Sequence, residues 1–312
     1  MNKCNFCGNK KFIELFKTQD SKTNRTFSIL GCYKCDLAFT SPLLGKKDLI
    51  KYYLGYRDDS NRRFWKPIEK FIYFWHKNRV SHVMNLVDKG KILDVGCGRA
   101  LELEMLKKKG WSIFATEFSK DIKKSLLKKG LRLFFNEIWE LKNKNNFFDI
   151  VTLWHSLEHL SDPQRVIKTA KKLLKKNGYL IIGVPNFSSV ERKLFGKFWF
   201  HLDIPRHLYH FPKETLIKYL ENNDFKIISK KYIAPEYDFF SFWQGSINKI
   251  FPNYPNIIYR YLSRGSRLRL YEKAIILSQL PILTLIIIVS FFVVPFLWLT
   301  KQSGTIEITC RK

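Results

Sequence analysis

From Lys91 onward, short apolar runs alternate with lysine-rich stretches whose apolar residues recur every three or four positions. The first pattern predicts buried strands and the second amphipathic helices. "KILDVGCG" is a strand running into a glycine turn, "LELEMLKKKG" a helix stopped at Gly110, and "WSIFATE" a second strand. Ser119 caps "KDIKKSLLKKG", which stops at Gly130. "LRLFF" and "FFDIVTLW" are the third and fourth strands. Asp162-Pro163 opens the helix "QRVIKTAKKLLKKNG", with Gly178 past its end, and "YLIIGVP" is a fifth strand. Strands separated by single helices imply a parallel sheet with right-handed crossovers, which binds ligands at the carboxyl ends of its strands.

Two stretches do not follow this rhythm. Ala274 to Thr300 carries no charge and is long enough to cross a bilayer. It is followed by "GTIEITCRK", residues 304–312, in which Ile306 and Ile308 face one side and Thr305, Glu307 and Thr309 the other. That alternation is a strand's, and a strand needs a sheet to join. At the other end, "KFIELFK" and "RTFSILGC" alternate between two cysteine pairs, Cys4-x-x-Cys7 and Cys32-x-x-Cys35. Two such knuckles offer four thiolates to one ion, which suits tetrahedral zinc in a closed structural site. No thioredoxin-like βαβ pattern surrounds either pair, and a domain this small needs a staple to fold. A zinc ribbon is therefore expected over residues 1–41.

Composition narrows the picture. At 46% hydrophobic the chain has material for a core, which excludes wholesale disorder. The formal charge of +28 suggests a polyanionic partner, either nucleic acid or an anionic membrane surface. Lysine dominates over arginine and is spread along the chain, so charge alone does not choose between them. The polar start predicts no secretory leader, and paired cysteines outside a disulfide framework suggest a reducing compartment.

Candidate chemistry gathers at the strand ends. Gly96 and Gly98 follow the first strand, where a missing side chain lets backbone approach a ligand. Glu117 ends the second strand, placed to accept hydrogen bonds from ribose hydroxyls. Such a turn would equally suit a dinucleotide, but it reads G-C-G-R-A, without the third dinucleotide glycine, and Asp94 precedes it within the strand. "ILDVGCG" with Glu117, "FDIVTLWHSLEHLSDP" and "LLKKNGYLIIGVPN" together resemble the class I S-adenosylmethionine-dependent methyltransferases. The resemblance is closest to small-molecule and envelope-associated enzymes whose fourth strand ends in W-H-x-L-E-H. It implies that Asp94, Gly96 and Gly98 surround the methionine part of S-adenosylmethionine, Glu117 the ribose, and Glu137 the adenine. Trp154 and His155 would line the pocket between cofactor and acceptor. Ala100 departs from the pattern, where relatives often have a further glycine.

The resemblance also implies a seven-stranded, Rossmann-like α/β sheet with an antiparallel last strand slotted between the fifth and sixth. "FKIISKKYIA", 225–234, is then the sixth strand and the tail the seventh. The expected organisation is a ribbon (1–41), a helical linker (42–89), a methyltransferase core (90–234), an apolar insert (235–303) and the last strand (304–312). If both strands join one sheet, the apolar run enters a membrane without crossing it. Basic residues on both flanks, Arg260, Arg264, Arg267, Arg269 and Lys273 before and Lys301, Arg311 and Lys312 after, favour one cytoplasmic face for both ends. Pro281 and Pro295 would permit a bend. The alternative is a single span with a short tail outside, and a buried soluble hairpin is a third.

Five of the seven histidines lie in two clusters, His155 with His159 and His201 with His207 and His210. Methyl transfer to a hydroxyl needs a base, and histidine suits that role near neutral pH. By resemblance, the P-R-H-L run makes Arg206 and His207 the acceptor-side residues, Arg206 holding a phosphate or carboxylate and His207, or His155, removing a proton. His159, His201 and His210 have structural alternatives as cap or packing residues. The leading expectation is a methyltransferase at the cytoplasmic membrane face with a lipid-linked, glycan or amphiphilic acceptor. The alternatives are an RNA methyltransferase and a non-catalytic scaffold.

Overall fold

The computed structural model describes residues 3–20, 23–53, 64, 66–128, 130–131, 134–263 and 269–312. Its strands are β1 (Phe12–Gln19), β2 (Thr26–Cys32), β3 (Ala38–Ser41), β4 (Lys91–Val95), β5 (Ser112–Thr116), β6 (Phe134–Phe135), β7 (Phe148–Trp154), β8 (Leu174–Pro185), β9 (Tyr209–His210), β10 (Lys226–Lys231) and β11 (Thr305–Arg311). The helices are α1 (Lys46–Tyr53), α2 (Lys66–Leu86), α3 (Leu101–Lys108), α4 (Lys120–Lys128), α5 (Pro163–Leu173), α6 (Val190–Phe195), α7 (Lys213–Glu221), α8 (Pro235–Ile250), α9 (Ile257–Leu262) and α10 (Leu270–Leu299). They form two compact units, interleaved along the chain. One takes Met1–Glu69, Pro185–Thr215 and Tyr232–Ile306, the other Lys70–Val184, Leu216–Lys231 and Glu307–Lys312.

The second unit is built on a mixed sheet of six strands in the order β10-β11-β8-β7-β4-β5, with the two-residue β6 paired to β5 at the edge. β4, β5, β7 and β8 run parallel, and β11 runs antiparallel to β10. Ile92, Leu93, Ile150, Val151, Ile181 and Ile182 are fully buried, as strands covered on both faces must be. The register pairs Asp94 with Ala115 on one side and Thr152 on the other, so β4, β5 and β7 end at one level. Helix caps follow the sequence: Ser119 Oγ accepts from the Ile122 amide at 3.3 Å, and Asp162 caps α5 with Pro163 in its first turn.

Several expectations are corrected here. The segment 42–89 is not a mere linker: Val80 and Val83 of α2 are buried in the same cluster as Leu103, Leu106 and Leu126. α5 stops at Leu173 rather than near Gly178, because Leu174 already pairs with Phe148 as β8 begins. Of the expected third strand, Phe134 and Phe135 are paired, while Arg132 and Leu133 lie outside the described residues, as do Arg264 and Arg267 of the basic flank.

The first unit holds a four-stranded sheet, β1-β2-β3-β9, and a helical part made of α6, α8, α9 and α10. α10 is one continuous helix of 30 residues, with Pro281 and Pro295 inside it. At 1.5 Å per residue it is about 45 Å long. The two prolines, which would permit a bend, do not interrupt the helix, and one side of it is held along its length. Ile276 packs with Ile257 and Ile258 of α9. Further along, Ser290 Oγ accepts from Trp243 Nε1 at 2.7 Å, and Trp298 Nε1 donates to Asp238 Oδ2 at 2.7 Å. α8 and α10 thus run antiparallel, and the chain returns from the insert down α10 into β11.

Candidate functional site

In the second unit, the ends of β4, β5 and β7 carry the expected cofactor residues. Asp94 is 4% exposed, and its Oδ1 accepts from Thr152 Oγ1 at 2.8 Å. Burial, reinforced by the charge of Glu102, pushes its carboxyl up to about 7 against the Thr152 hydrogen bond. Gly96 follows with φ +74, and a Cβ there would lie 2.8 Å from Ser156 Cβ, so both conformation and space demand glycine. Gly98 has φ +50 and open space above its Cα. Glu117 binds this turn back to β5. Its Oε2 accepts from the Gly98 amide at 3.2 Å and its Oε1 from the Ser119 amide at 2.7 Å. Burial raises the Glu117 carboxyl, opposed by those two amides.

Ala100, where a further glycine is common, sits at φ 52 and ψ 35, a left-handed conformation that glycine adopts freely. The chain therefore keeps the backbone of the glycine pattern with an alanine. Glu137 is half-buried just after β6, at the start of the turn Ile138–Glu140. Trp154 ends β7, and its indole Nε1 donates to Glu307 Oε2 at 3.2 Å. His155 has φ 49, and its amide donates to the Gly183 carbonyl at 2.8 Å. Burial and the Arg79 guanidinium push its imidazole down to about 3. The ring is neutral near pH 7.

Four participants went unrecognised in the sequence. His76 and Arg79 of α2 both contact Glu102 of α3, Arg79 Nη1 at 3.2 Å. Burial works against charge on Glu102, yet His76 and Arg79 hold its carboxyl at about 2. The Arg79 guanidinium also lies 5.6 Å from the Trp154 ring centroid. Glu307 on β11 holds Trp154 and lies 3.3 Å from Lys231 and 3.7 Å from His82. The signal for α2 was present: Val80, Val83, Met84 and Val87 recur at helical spacing. For Glu307 the only signal was its place in an alternating strand.

In the first unit, the P-R-H-L run forms a loop before β9. Arg206 Nε donates to Asp203 Oδ1 at 3.0 Å, and its Nη2 donates to the same oxygen. The anion-holding role expected of Arg206 is met by a carboxylate of its own loop. His207 Nδ1 donates to the His201 carbonyl at 2.8 Å, and its Nε2 lies 3.7 Å from Asp203 Oδ2. His210 packs rather than titrates. Burial and Arg192 push it down to about 3, and its Nε2 lies 3.1 Å from Thr40 Oγ1.

The four cysteines of the two pairs converge, with all sulfurs within 4.8 Å of one another. Cys4 and Cys35, and Cys7 and Cys32, are 3.5 Å apart. Four thiolates at about 2.3 Å from a tetrahedral zinc would lie about 3.8 Å apart, so the donor set fits that ion. Each knuckle closes on a left-handed residue, Gly8 at φ 71 and Asp36 at φ 58, whose amide donates to the carbonyl of the first cysteine.

A parallel sheet with an antiparallel last strand, an acid inside β4, a glycine turn after it and an acid ending β5 define a class I methyltransferase fold. The comparisons agree. A family model describing a methyltransferase domain matches residues 62–230, and the chain belongs to that family. The ubiquinone biosynthesis O-methyltransferase of Coxiella burnetii (strain RSA 331 / Henzerling II) is 29% identical over 153 residues, which are 46% of this chain and 65% of the relative. Its namesake from Pasteurella multocida is 28% identical over 154 residues, 43% of this chain and 62% of the relative. The chain thus spans just under two thirds of the length of these relatives. Among solved structures, one described as a candidate sarcosine dimethylglycine methyltransferase from Galdieria sulphuraria covers 86% of this chain and 98% of its own, with a TM-score of 0.51 at 14% identity.

Proposed function

We propose that this protein is an S-adenosylmethionine-dependent methyltransferase that works on the cytoplasmic face of a membrane, on an amphiphilic or lipid-linked acceptor. The observation that carries the chemistry is the joined set of Asp94, Gly96, Gly98 and Glu117. Glu117 anchors the glycine turn through the Gly98 amide and keeps lone pairs for two ribose hydroxyls. Asp94 sits buried beside the turn, as a counter-charge for the amino acid portion. Bound there, S-adenosylmethionine supplies a methyl group on a sulfonium for in-line displacement. Trp154, fixed by Glu307, excludes water from the pocket wall. The family resemblance makes His207 the acceptor-side base, and an oxygen acceptor is in keeping with the names of the relatives. Cys4, Cys7, Cys32 and Cys35 hold a structural zinc.

The membrane part of the proposal is supported by α10, long and apolar enough to cross a bilayer. One stripe of it packs against the rest of its unit, with Gln279 and Ser290 fully buried. The remainder is exposed and apolar, including Leu277, Leu285, Ile288, Phe292, Phe296 and Leu299. A helix held along its length cannot be enclosed by lipid, so α10 lies in the plane of the interface, and the +28 charge adds attraction to anionic headgroups. The same charge favours RNA as a second reading. The test supplies the purified protein with S-adenosylmethionine carrying a labelled methyl group, and with membranes or total RNA from its own cells. Label in an extractable lipid or glycolipid supports the proposal, and label in RNA alone overturns it.

A further inference from the structure

The cysteine ribbon does not stand as a separate module, because its sheet is completed by the loop that carries His207. β9 pairs antiparallel with β3, placing Ala38 opposite His210 and Phe39 opposite Tyr209. Thr40, fully buried on β3, makes three contacts with this loop. Its amide donates to the Leu208 carbonyl at 3.0 Å, and its hydroxyl donates to the His207 carbonyl at 2.7 Å. With its proton so used, the hydroxyl accepts from His210 Nε2 at 3.1 Å, which sets the His210 tautomer. The knuckle itself is tied to the same region. Thr215 Oγ1 donates to the Cys35 carbonyl at 2.6 Å, and the Phe6 and Phe211 rings lie 5.8 Å apart.

β3 is a strand of four residues that begins three positions after Cys35. Besides its pairing with β2 and β9, the strand is held by the burial of Ala38 beside Ile29, Phe187 and Trp199, and the knuckle leads directly into it, with the Cys32 amide donating to the Leu37 carbonyl at 2.9 Å. A ribbon of this size is in turn stable chiefly through its metal. We infer that the zinc knuckle at Cys32–Cys35 is a positioning element for the loop of the proposed acceptor-side base, acting through β3 and the Thr40 hydroxyl on the backbone of His207. Thr40 is a positioning residue, not a catalytic one. The inference rests on the methyltransferase reading for the role of His207, while the mechanical coupling stands on the contacts above. It gives the ribbon a task within the enzyme and removes the need for a nucleic acid or protein partner to explain it.

The experiment uses the full chain, in detergent, as wild type, Thr40→Val and Thr40→Ser. Three quantities are read on each: zinc released per chain, hydrogen exchange of peptides covering Phe39–Ser41 and Leu208–Phe211, and S-adenosylmethionine affinity by calorimetry. Thr40→Val should keep its zinc and cofactor affinity yet speed exchange in Leu208–Phe211 by about tenfold. Thr40→Ser, which restores the hydroxyl, should return exchange to within about twofold of wild type. Chelating the metal from the wild type should speed exchange in the same peptides at least as much, with cofactor affinity changed less than about threefold. Exchange in Leu208–Phe211 that ignores both Thr40→Val and metal removal refutes the coupling, and a chain that binds no zinc refutes the role of the knuckle. A zinc-bearing wild type that binds no S-adenosylmethionine refutes the methyltransferase reading instead, and with it the role given to His207.

Discussion

Two carboxyls at the root of the apolar insert allow a quantitative test. Glu191 on α6 and Asp238 on α8 are both fully buried. Glu191 Oε2 accepts from Ser241 Oγ at 2.8 Å, and Gly304 packs so close that a Cβ on it would lie 2.7 Å from the same oxygen. Asp238 accepts from Trp298 Nε1, Thr305 Oγ1 and the Ala234 amide. The pair thus joins α6, α8, α10 and the start of β11. Burial pushes the Glu191 carboxyl from an ordinary 4.5 up to about 7, and burial with the charge of Glu191 raises Asp238. A carboxyl whose pKa rises on folding stabilises the folded state while protonated. Its contribution is complete below the unfolded value and is lost as pH rises through the folded one. For Glu191, going from pH 5 to pH 8 removes about 2.5 kcal/mol from the wild type.

Glu191→Gln cannot titrate, so its stability relative to wild type should grow by about that amount across the same interval. At roughly 2–4 °C per kcal/mol, the melting-temperature difference between the two proteins should widen by about 5–10 °C. Tryptophan fluorescence is a suitable readout, since Trp243 and Trp298 hydrogen-bond across the same helices. Comparing the two proteins at each pH cancels groups remote from the pair, including His155 and His210, whose lowered pKa values pull the opposite way below about 6.5. Asp238 does not cancel: without the Glu191 charge it is raised less in the variant, which widens the difference in the same direction. A difference that stays flat from pH 5 to pH 8 would mean that Glu191 folds already ionised, and the reasoning would fail.

Three further outcomes are expected. Phe292, 76% exposed in the middle of α10, should anchor the protein to lipid. Phe292→Asp removes about 2 kcal/mol of apolar transfer and adds a charge, so sedimentation with anionic vesicles should fall by at least about tenfold while melting is unchanged; equal sedimentation would count against in-plane docking. Glu117→Ala should weaken S-adenosylmethionine binding by at least about tenfold, read by calorimetry, through loss of charge-assisted hydrogen bonds each worth about 1.5–3 kcal/mol. Ala100→Gly relieves about 1–2 kcal/mol of left-handed strain but loses about 0.8 kcal/mol of methyl burial and about 0.5–1 kcal/mol of backbone entropy, so denaturant unfolding should shift by less than about 1 kcal/mol.

The cofactor site was legible because its geometry is local. A strand, a glycine turn and an acid ending the next strand carry their conformation in a few adjacent residues, and the Gly98 amide reaches the Glu117 carboxylate where β4 and β5 run in register. The two cysteine pairs were legible for the same reason, since each knuckle is a tight turn. At Arg206 and His155 the neighbours that shape their chemistry were not revealed by spacing. Asp203 occupies the guanidinium of Arg206, while burial and Arg79 lower the pKa of the His155 imidazole. The Glu307–Trp154 bond was out of reach, because its partners lie on strands that are distant in sequence and share only a sheet.

The sequence by itself determined the periodicities and the cysteine spacing, and through them the parallel sheet, a strand-like tail, the paired thiols and an apolar helix too long for an ordinary core; the place of the tail in the sheet came from the family resemblance. Each of these depends on steric and solvation preferences that act within a turn or two of chain. Tertiary structure alone decided that α10 continues unbroken through two prolines, that α2 belongs to the core, and that the ribbon's sheet ends in the loop of His207. Those outcomes depend on burial and on hydrogen bonds between segments far apart in the chain, and such energies exist only once the packed neighbours are in place.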